Sequence, residues 1–230
     1  MAARINIAID GPASSGKGTV ARMVAAALGY AYIDTGAMYR AVALVSAERG
    51  VALSDGGRVA EVANSLDFRF SWDGGRLLLA VDGRDLTDLI RAEAVGRGAS
   101  DVAVHAPVRA ALLERQRRLA ADGGVVMDGR DIGTVVLPDA ALKVFLDASS
   151  EERARRRTLD LIARQAPADY DTILREIRAR DLQDSTRAAA PLRAAPDARI
   201  VDSTHLSAVE VAGEVVAMAR EILDDSDRVR

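Results

Sequence analysis

Of the 31 lysines and arginines in this chain of 230 residues, only Lys17 and Lys143 are lysines. Lys17 closes the stretch Gly11, Pro12, Ala13, Ser14, Ser15, Gly16, Lys17, Gly18, Thr19, which fits the pattern G-x-x-x-x-G-K. Glycines at such places let the backbone curl so that successive N–H groups turn inward, and a following helix adds the positive potential of its N-terminus. A lysine at this point reaches the β- and γ-phosphates of a nucleoside triphosphate. The general pattern continues with Ser or Thr, whose hydroxyl serves Mg²⁺; here Gly18 intervenes and Thr19 follows. The plainer alternative is a glycine turn between strand and helix that binds nothing. The order strand, loop, helix favours the phosphate loop, and ATP is the expected occupant.

Four further stretches carry charge where turns or helix starts are expected. In "YIDTGAMYR", Asp34 or Thr35 can cap the next helix. Arg40 lies close enough to that helix start for the dipole to oppose it, and a bound anion would account for it. In "VVMDGRDIGTVV", Asp128 closes an apolar run as an acid that holds Mg²⁺ through water would, and Arg130 and Asp131 follow it. "SSEERARRRTLDLIARQ" opens with Ser149 and Glu152 in capping-box spacing, then sets Arg153, Arg156 and Arg157 on one helical face. Those arginines either pair with Glu152 and Asp160 or close over transferring phosphates. In "RARDLQDSTRAAAPLR", Arg180, Asp184 and Arg187 fall at intervals of four and three, either as surface ion pairs or as part of a site.

The elements that must hold these residues alternate. "RINIAI", "YAYI", "GVVM", "LKVFLD" and "ARIVD" are short apolar strand candidates with helical patterns between them. Val20, Met23, Val24, Ala27 and Leu28 recur at helical spacing before Gly29, and Met38, Ala41, Val42 and Val45 do so before Gly50. Pro107 can open another helix, and Val209, Ala212, Val216 and Ala219 mark a last one. Alternation of this kind predicts an α/β fold with a five-stranded parallel sheet covered on both faces. Residues 67–87 break the rhythm with strand runs separated by Asp-Gly turns, the signature of antiparallel hairpins inserted into the core.

Composition narrows the function classes. Apolar residues make up 49% and charged ones 28%, with a formal charge of −3, so no net pull toward nucleic acid or an anionic membrane is expected. The chain has no cysteine, which excludes disulfides and thiolate chemistry. No apolar run approaches the ~20 residues of a membrane span, and the few residues before Asp10 are too short for a signal segment, so a cytoplasmic location is expected. A guanine-reading N-K-x-D is absent, since neither Asn6 nor Asn64 precedes a lysine. Scarce aromatics and net acidity argue against a nucleic-acid-stimulated ATPase.

Taken together and in order, "DGPASSGKGT", "DTGAMYR", "DGRDIGTVV", "FLDASSEERARRR" and "RDLQDSTRAAAPL" resemble the bacterial cytidylate kinases across nearly the whole chain. The "GKGT" form of the loop is that of nucleoside monophosphate kinases. The resemblance implies one P-loop kinase domain whose core is residues 1–35, 104–150 and 188–230. It further implies a monophosphate-binding insertion over 36–103 and a short helical lid with the following helix over 151–187. It implies transfer of a phosphoryl group from ATP to CMP or dCMP by a monomer, with Mg²⁺ at the β- and γ-phosphates and Thr19 and Asp128 near it through water. On the same likeness Arg40 grips the monophosphate. Thr35, Arg109, Ser100 and Asp131 surround cytosine, with Asp34 a near neighbour. Arg130 and Arg187 face the phosphates with Lys17, joined by the lid residues Arg153 and Arg157, while Asp184 and Arg187 reach the sugar side and Arg180 also meets the substrate. Family sequences usually carry Ser where Thr35 stands, which keeps the hydroxyl and adds a methyl group. His105 and His205 are read as structural.

Overall fold

The computed structural model describes residues 4–73 and 76–228. Strands β1 (Ile7–Asp10), β2 (Ala31–Asp34), β6 (Val125–Gly129), β7 (Leu142–Asp147) and β8 (Arg199–Asp202) form one sheet in the order β2-β6-β1-β7-β8. The β1, β6, β7 and β8 pairs are parallel. A separate antiparallel sheet holds β3 (Phe68–Asp73), β4 (Arg76–Val81) and β5 (Arg84–Asp85). The fold is therefore the expected α/β sheet with antiparallel hairpins inserted. β1 is buried at all four residues, as a central strand covered on both faces must be.

Register decides what the strands present at their ends. Asp10 pairs with Gly129 on one side and with Phe145 on the other, and Asp147 pairs with Asp202. The C-terminal ends of β1, β6, β7 and β8 thus align, which gathers the segments that follow them along one edge. That edge is where open parallel sheets bind ligands.

The chain divides into two compact units. The first comprises residues 1–31 and 123–230. In it α1 (Lys17–Leu28) packs against β6 and against α8 (Ala208–Arg228), and α6 (Ser150–Ala163) packs against α7 (Tyr170–Thr186). Ala154, Leu161, Ile173 and Ile177 form the small core between α6 and α7. The apolar stripes of α1 and α8 are rotated from the expected ones. α1 buries Val20, Ala21, Val24 and Ala25, with Ala27 exposed, while α8 buries Val211, Ala212, Val215 and Ala219 and leaves Val209 exposed. The buried residues of these two packed helices include the small Ala21, Ala25 and Ala219.

The second unit comprises residues 32–122. Helices α2 (Thr35–Glu48), α3 (Gly56–Ser65), α4 (Glu93–Ala103) and α5 (Ala106–Leu119) build it with the antiparallel sheet, α2 packing on α4 and α3 on α5. Its core runs through Met38, Val42, Val59, Leu66, Leu79, Val102 and Leu112. The turn Asp82–Gly83, with φ of 52° and 80°, supplies the left-handed pair a two-residue hairpin requires. The other expected Asp-Gly turn, at Gly74, lies outside the described residues. Pro107 is in the first turn of α5, one position later than expected. No described helix is long and apolar enough to cross a membrane.

Candidate active site

In the first unit, the loop between β1 and α1 takes positive φ at three positions. Gly11 and Gly16 have φ of 150° and 94°, and a Cβ on Gly11 would stand 2.0 Å from the Leu146 carbonyl oxygen. Ser14 has φ of 60°, a left-handed value that costs a side-chain-bearing residue about 1 kcal/mol. Lys17 is buried and its Nζ donates to the Pro12 carbonyl at 2.6 Å. Burial pushes the Lys17 ammonium well below its ordinary value and Arg130 adds repulsion, with Asp128 and Asp10 acting against both. An anion arriving here would relieve that burial cost. The cradle, the lysine and the helix N-terminus therefore fit a polyphosphate.

Asp10 ends β1 with both oxygens occupied, accepting from the Ile132 N–H at 2.8 Å and the Gly133 N–H at 2.7 Å. Burial raises its carboxyl to about 6 against those hydrogen bonds. It thereby fixes the start of the π-helical turn Ile132–Val136, and with it the backbone that carries Arg130 and Asp131. Gly133 has little room: a Cβ there would meet the Lys143 stem at 3.2 Å and Asp10 at 3.4 Å. Lys143, the other lysine, binds Asp197 through both carboxylate oxygens, at 2.7 and 2.9 Å.

The charged residues after β6 and at the end of α7 meet. Arg130 Nε donates to Asp184 at 3.0 Å, and Arg187 lies 3.7 Å from Asp184 and 3.9 Å from Asp131. Asp128, Asp131 and Asp184 are all buried. Burial alone would lift Asp184, but Arg130, Arg180 and Arg187 together outweigh it and hold the carboxyl below its usual range. Asp184 and the Arg187 side chain are buried, so their pairing is not of the solvated surface kind, while Arg180 is half-buried. Of the three α6 arginines expected on one face, the ion-pair alternative with Glu152 or Asp160 holds for Arg156 and Arg157 but not for Arg153. Arg155 and Arg156 bind Glu152, drawing it down to about 2, and Arg157 binds Asp160 at 2.8 Å. Ser149 caps α6 by accepting from the Glu152 N–H. The reciprocal half of the capping box is not made, since Ser149 N–H donates to Thr204 and Glu152 turns to the arginines.

In the second unit, Asp34 is the N-cap of α2: Oδ1 accepts from the Ala37 N–H at 3.0 Å and Oδ2 from Arg40 at 2.7 Å. Gly36 leaves space for that pair, since a Cβ would lie 3.1 Å from each partner. Thr35 and Ser100 are buried, and Arg109 stands over the Tyr39 ring at 5.5 Å. His105 bonds the Leu53 carbonyl at 2.8 Å, a structural role as expected. Among the described residues no cluster of three or more acids, histidines or cysteines could hold a metal, so a magnesium ion would rely on hydroxyl, single-carboxylate and phosphate oxygens. Thr19 and the buried Asp128 are hard oxygen donors of that kind.

The family model described as cytidylate kinase matches residues 7–221. This chain belongs to that family. It is 50% identical over 213 residues to a cytidylate kinase from Pelotomaculum thermopropionicum, covering 92% of this chain and 94% of the relative. It is 49% identical over 221 residues to one from Geobacillus thermodenitrificans, covering 96% and 99%. Among solved structures, a gluconokinase from Sinorhizobium meliloti superposes with a TM-score of 0.50 at 18% identity, covering 99% of this chain and 98% of that one; it shares the fold.

Two features of the site depend on partners that leave no mark in the sequence. Asp10 was readable only as the charged end of an apolar strand, because its partners are backbone N–H groups 122 and 123 residues away. Arg153 was readable only as one of several lid arginines, yet it is buried and bonded throughout.

Proposed function

We propose that this protein is a cytidylate kinase that moves the terminal phosphoryl group of ATP to CMP or dCMP, releasing ADP with CDP or dCDP. The observation that carries the reading is the buried lysine in its phosphate loop, in the same unit as the Arg130, Asp131, Asp184 and Arg187 cluster, in a chain of this family. Gly11 to Thr19 take the triphosphate. Lys17, Arg130 and Arg187 neutralise charge on the transferring group, joined by Arg157 once it leaves Asp160, while Thr19 and Asp128 serve Mg²⁺, which when bound supplies further neutralisation. Arg40, latched by Asp34, takes the acceptor's phosphate, and Asp184 and Arg187 take its sugar side with Arg180 also on the substrate.

Cytosine carries an amino donor and a ring-nitrogen acceptor, so Asp131 and Ser100 can accept while Arg109 donates. Thr35 lies with them in this reading. No general base is required. The second ionisation of a nucleoside monophosphate lies near ~6, so its oxygen is already an anion at neutral pH. That oxygen forms a bond to the γ-phosphorus, the bridge to the β-phosphate breaks, and ADP takes the electron pair. The residues' task is alignment and charge neutralisation. We propose further that residues 151–187 close over the reaction to exclude water, and that the enzyme works as a monomer on free nucleotides in the cytoplasm.

A coupled assay of ADP release with ATP and Mg²⁺ tests this against CMP, dCMP, UMP, AMP and water alone. Release with CMP or dCMP is expected to exceed release with water by at least ~10²-fold. Release that no monophosphate changes would mean an ATPase or a nucleotide switch instead.

A further inference from the structure

A loop whose N–H groups turn inward turns its carbonyls outward, and those acceptors need donors behind them. Two cations of α6 supply them: Arg153 Nη1 holds the Ala13 carbonyl at 3.1 Å and Arg156 Nη1 the Ser15 carbonyl at 3.3 Å. Ser14, the left-handed residue, stands between the two carbonyls that α6 pins. Strain of this kind persists only where the surroundings over-determine it.

Arg153 is the more deeply committed of the two arginines, with 4% of its surface exposed. Its Nε donates to the Ala148 carbonyl at 2.9 Å, and Nη2 donates to Ser150 Oγ at 3.0 Å. Asp181 on α7 receives both prongs of the fork, Nη1 at 3.0 Å and Nη2 at 2.6 Å. A guanidinium has five N–H donors. With the Ala13 carbonyl, every one of them has a partner inside the protein. None remains for a phosphate oxygen, which sets Arg153 apart from a residue that reaches over the transferring group.

We infer that Arg153 is a positioning residue for the nucleoside triphosphate: held by Asp181, it keeps the Ala13 carbonyl turned outward so that the phosphate loop presents its N–H groups. The inference rests on the kinase reading above. Arg153 also ties the loop to α7, which carries Arg180 and Asp184 and is followed by Arg187. Lysine cannot replace it, since a point charge with three donors does not span a carboxylate and two carbonyls.

The test is calorimetric titration of the intact protein with a non-hydrolysable ATP analogue and, separately, with CMP, for wild type, Arg153→Lys, Asp181→Asn, the double variant and Arg155→Lys. Arg153→Lys is expected to weaken analogue binding at least tenfold and CMP binding less than threefold. Asp181→Asn should weaken analogue binding three- to fivefold, and the double variant should be no worse than Arg153→Lys alone. Arg155→Lys, on the exposed side of the same helix, should stay within twofold for both ligands. Unchanged analogue affinity in Arg153→Lys overturns the inference, and so do additive losses in the double variant or equal losses for both ligands. Should Arg153→Lys fail to fold, Asp181→Asn decides, and wild-type affinity there overturns it. Wild-type protein that binds no ATP analogue would instead sink the kinase reading itself.

Discussion

Asp10 shows how one carboxylate can organise a loop remote in sequence. Its burial raises the carboxyl from an ordinary 3.8 to about 6, while two backbone N–H groups keep it useful as an acceptor. A folded-state value above the unfolded one means that the group's contribution to stability is fully present below about pH 3.8 and is lost as pH rises through about 6. Asp10→Asn removes that titration and sets an amide N–H₂ against one of the two donors. Denaturant unfolding of both proteins across pH 4 to 7 should therefore show the wild type losing stability relative to the variant as pH rises, on the order of a few kcal/mol. A constant gap between them would show that Asp10 does not titrate in that window. The same variant should lower activity by misplacing Arg130 and Asp131, even where the protein stays folded.

At the scale of elements, the contact between β7 and the phosphate loop sets the sharpest constraint. Gly11→Ala would drive a methyl group into the Leu146 carbonyl, at an angle that disfavours any side chain. Gly50→Ala faces only its positive φ of 68°, with open space around it. Thermal unfolding should fall by about 10 °C or more for Gly11→Ala and by a few degrees for Gly50→Ala. Comparable losses would mean that β7 yields to the methyl group. The elements themselves were largely legible: the five parallel strands, the phosphate loop, the Asp34 cap and the Gly29 and Gly50 stops all rest on local signals of spacing and turn chemistry. What escaped depended on distant partners. The Arg153–Asp181 fork joins residues 28 apart and ends on backbone carbonyls, which leave no mark in a sequence. The α1 and α8 stripes were displaced because periodicity locates an apolar arc without saying which part of it faces a neighbour.

Across the whole molecule, charge is spent unevenly. Net acidity of −3 coexists with the gathering of Arg130, Arg180 and Arg187 around the buried Asp184. The family assignment and the site chemistry converge because the residues carrying both lie after the ends of adjacent parallel strands. Within the first unit, the arginines of α6 divide their work between the loop behind them and acids on their own helix, so a count of basic residues says little about which meet substrate.

The outermost strand of the parallel sheet has a different kind of consequence. β8 is an edge of only four residues, yet it displays Ile200 at 71% exposure between the charged Arg199 and Val201 in the core. An unpaired edge with an exposed branched aliphatic side chain is a template for strand addition by another chain. Its shortness and its flanking Arg199 and Asp202 act as gatekeepers against that outcome. Ile200→Thr should keep catalysis intact and reduce light scattering when the protein is held near its melting temperature; undiminished scattering would place the self-association seam elsewhere.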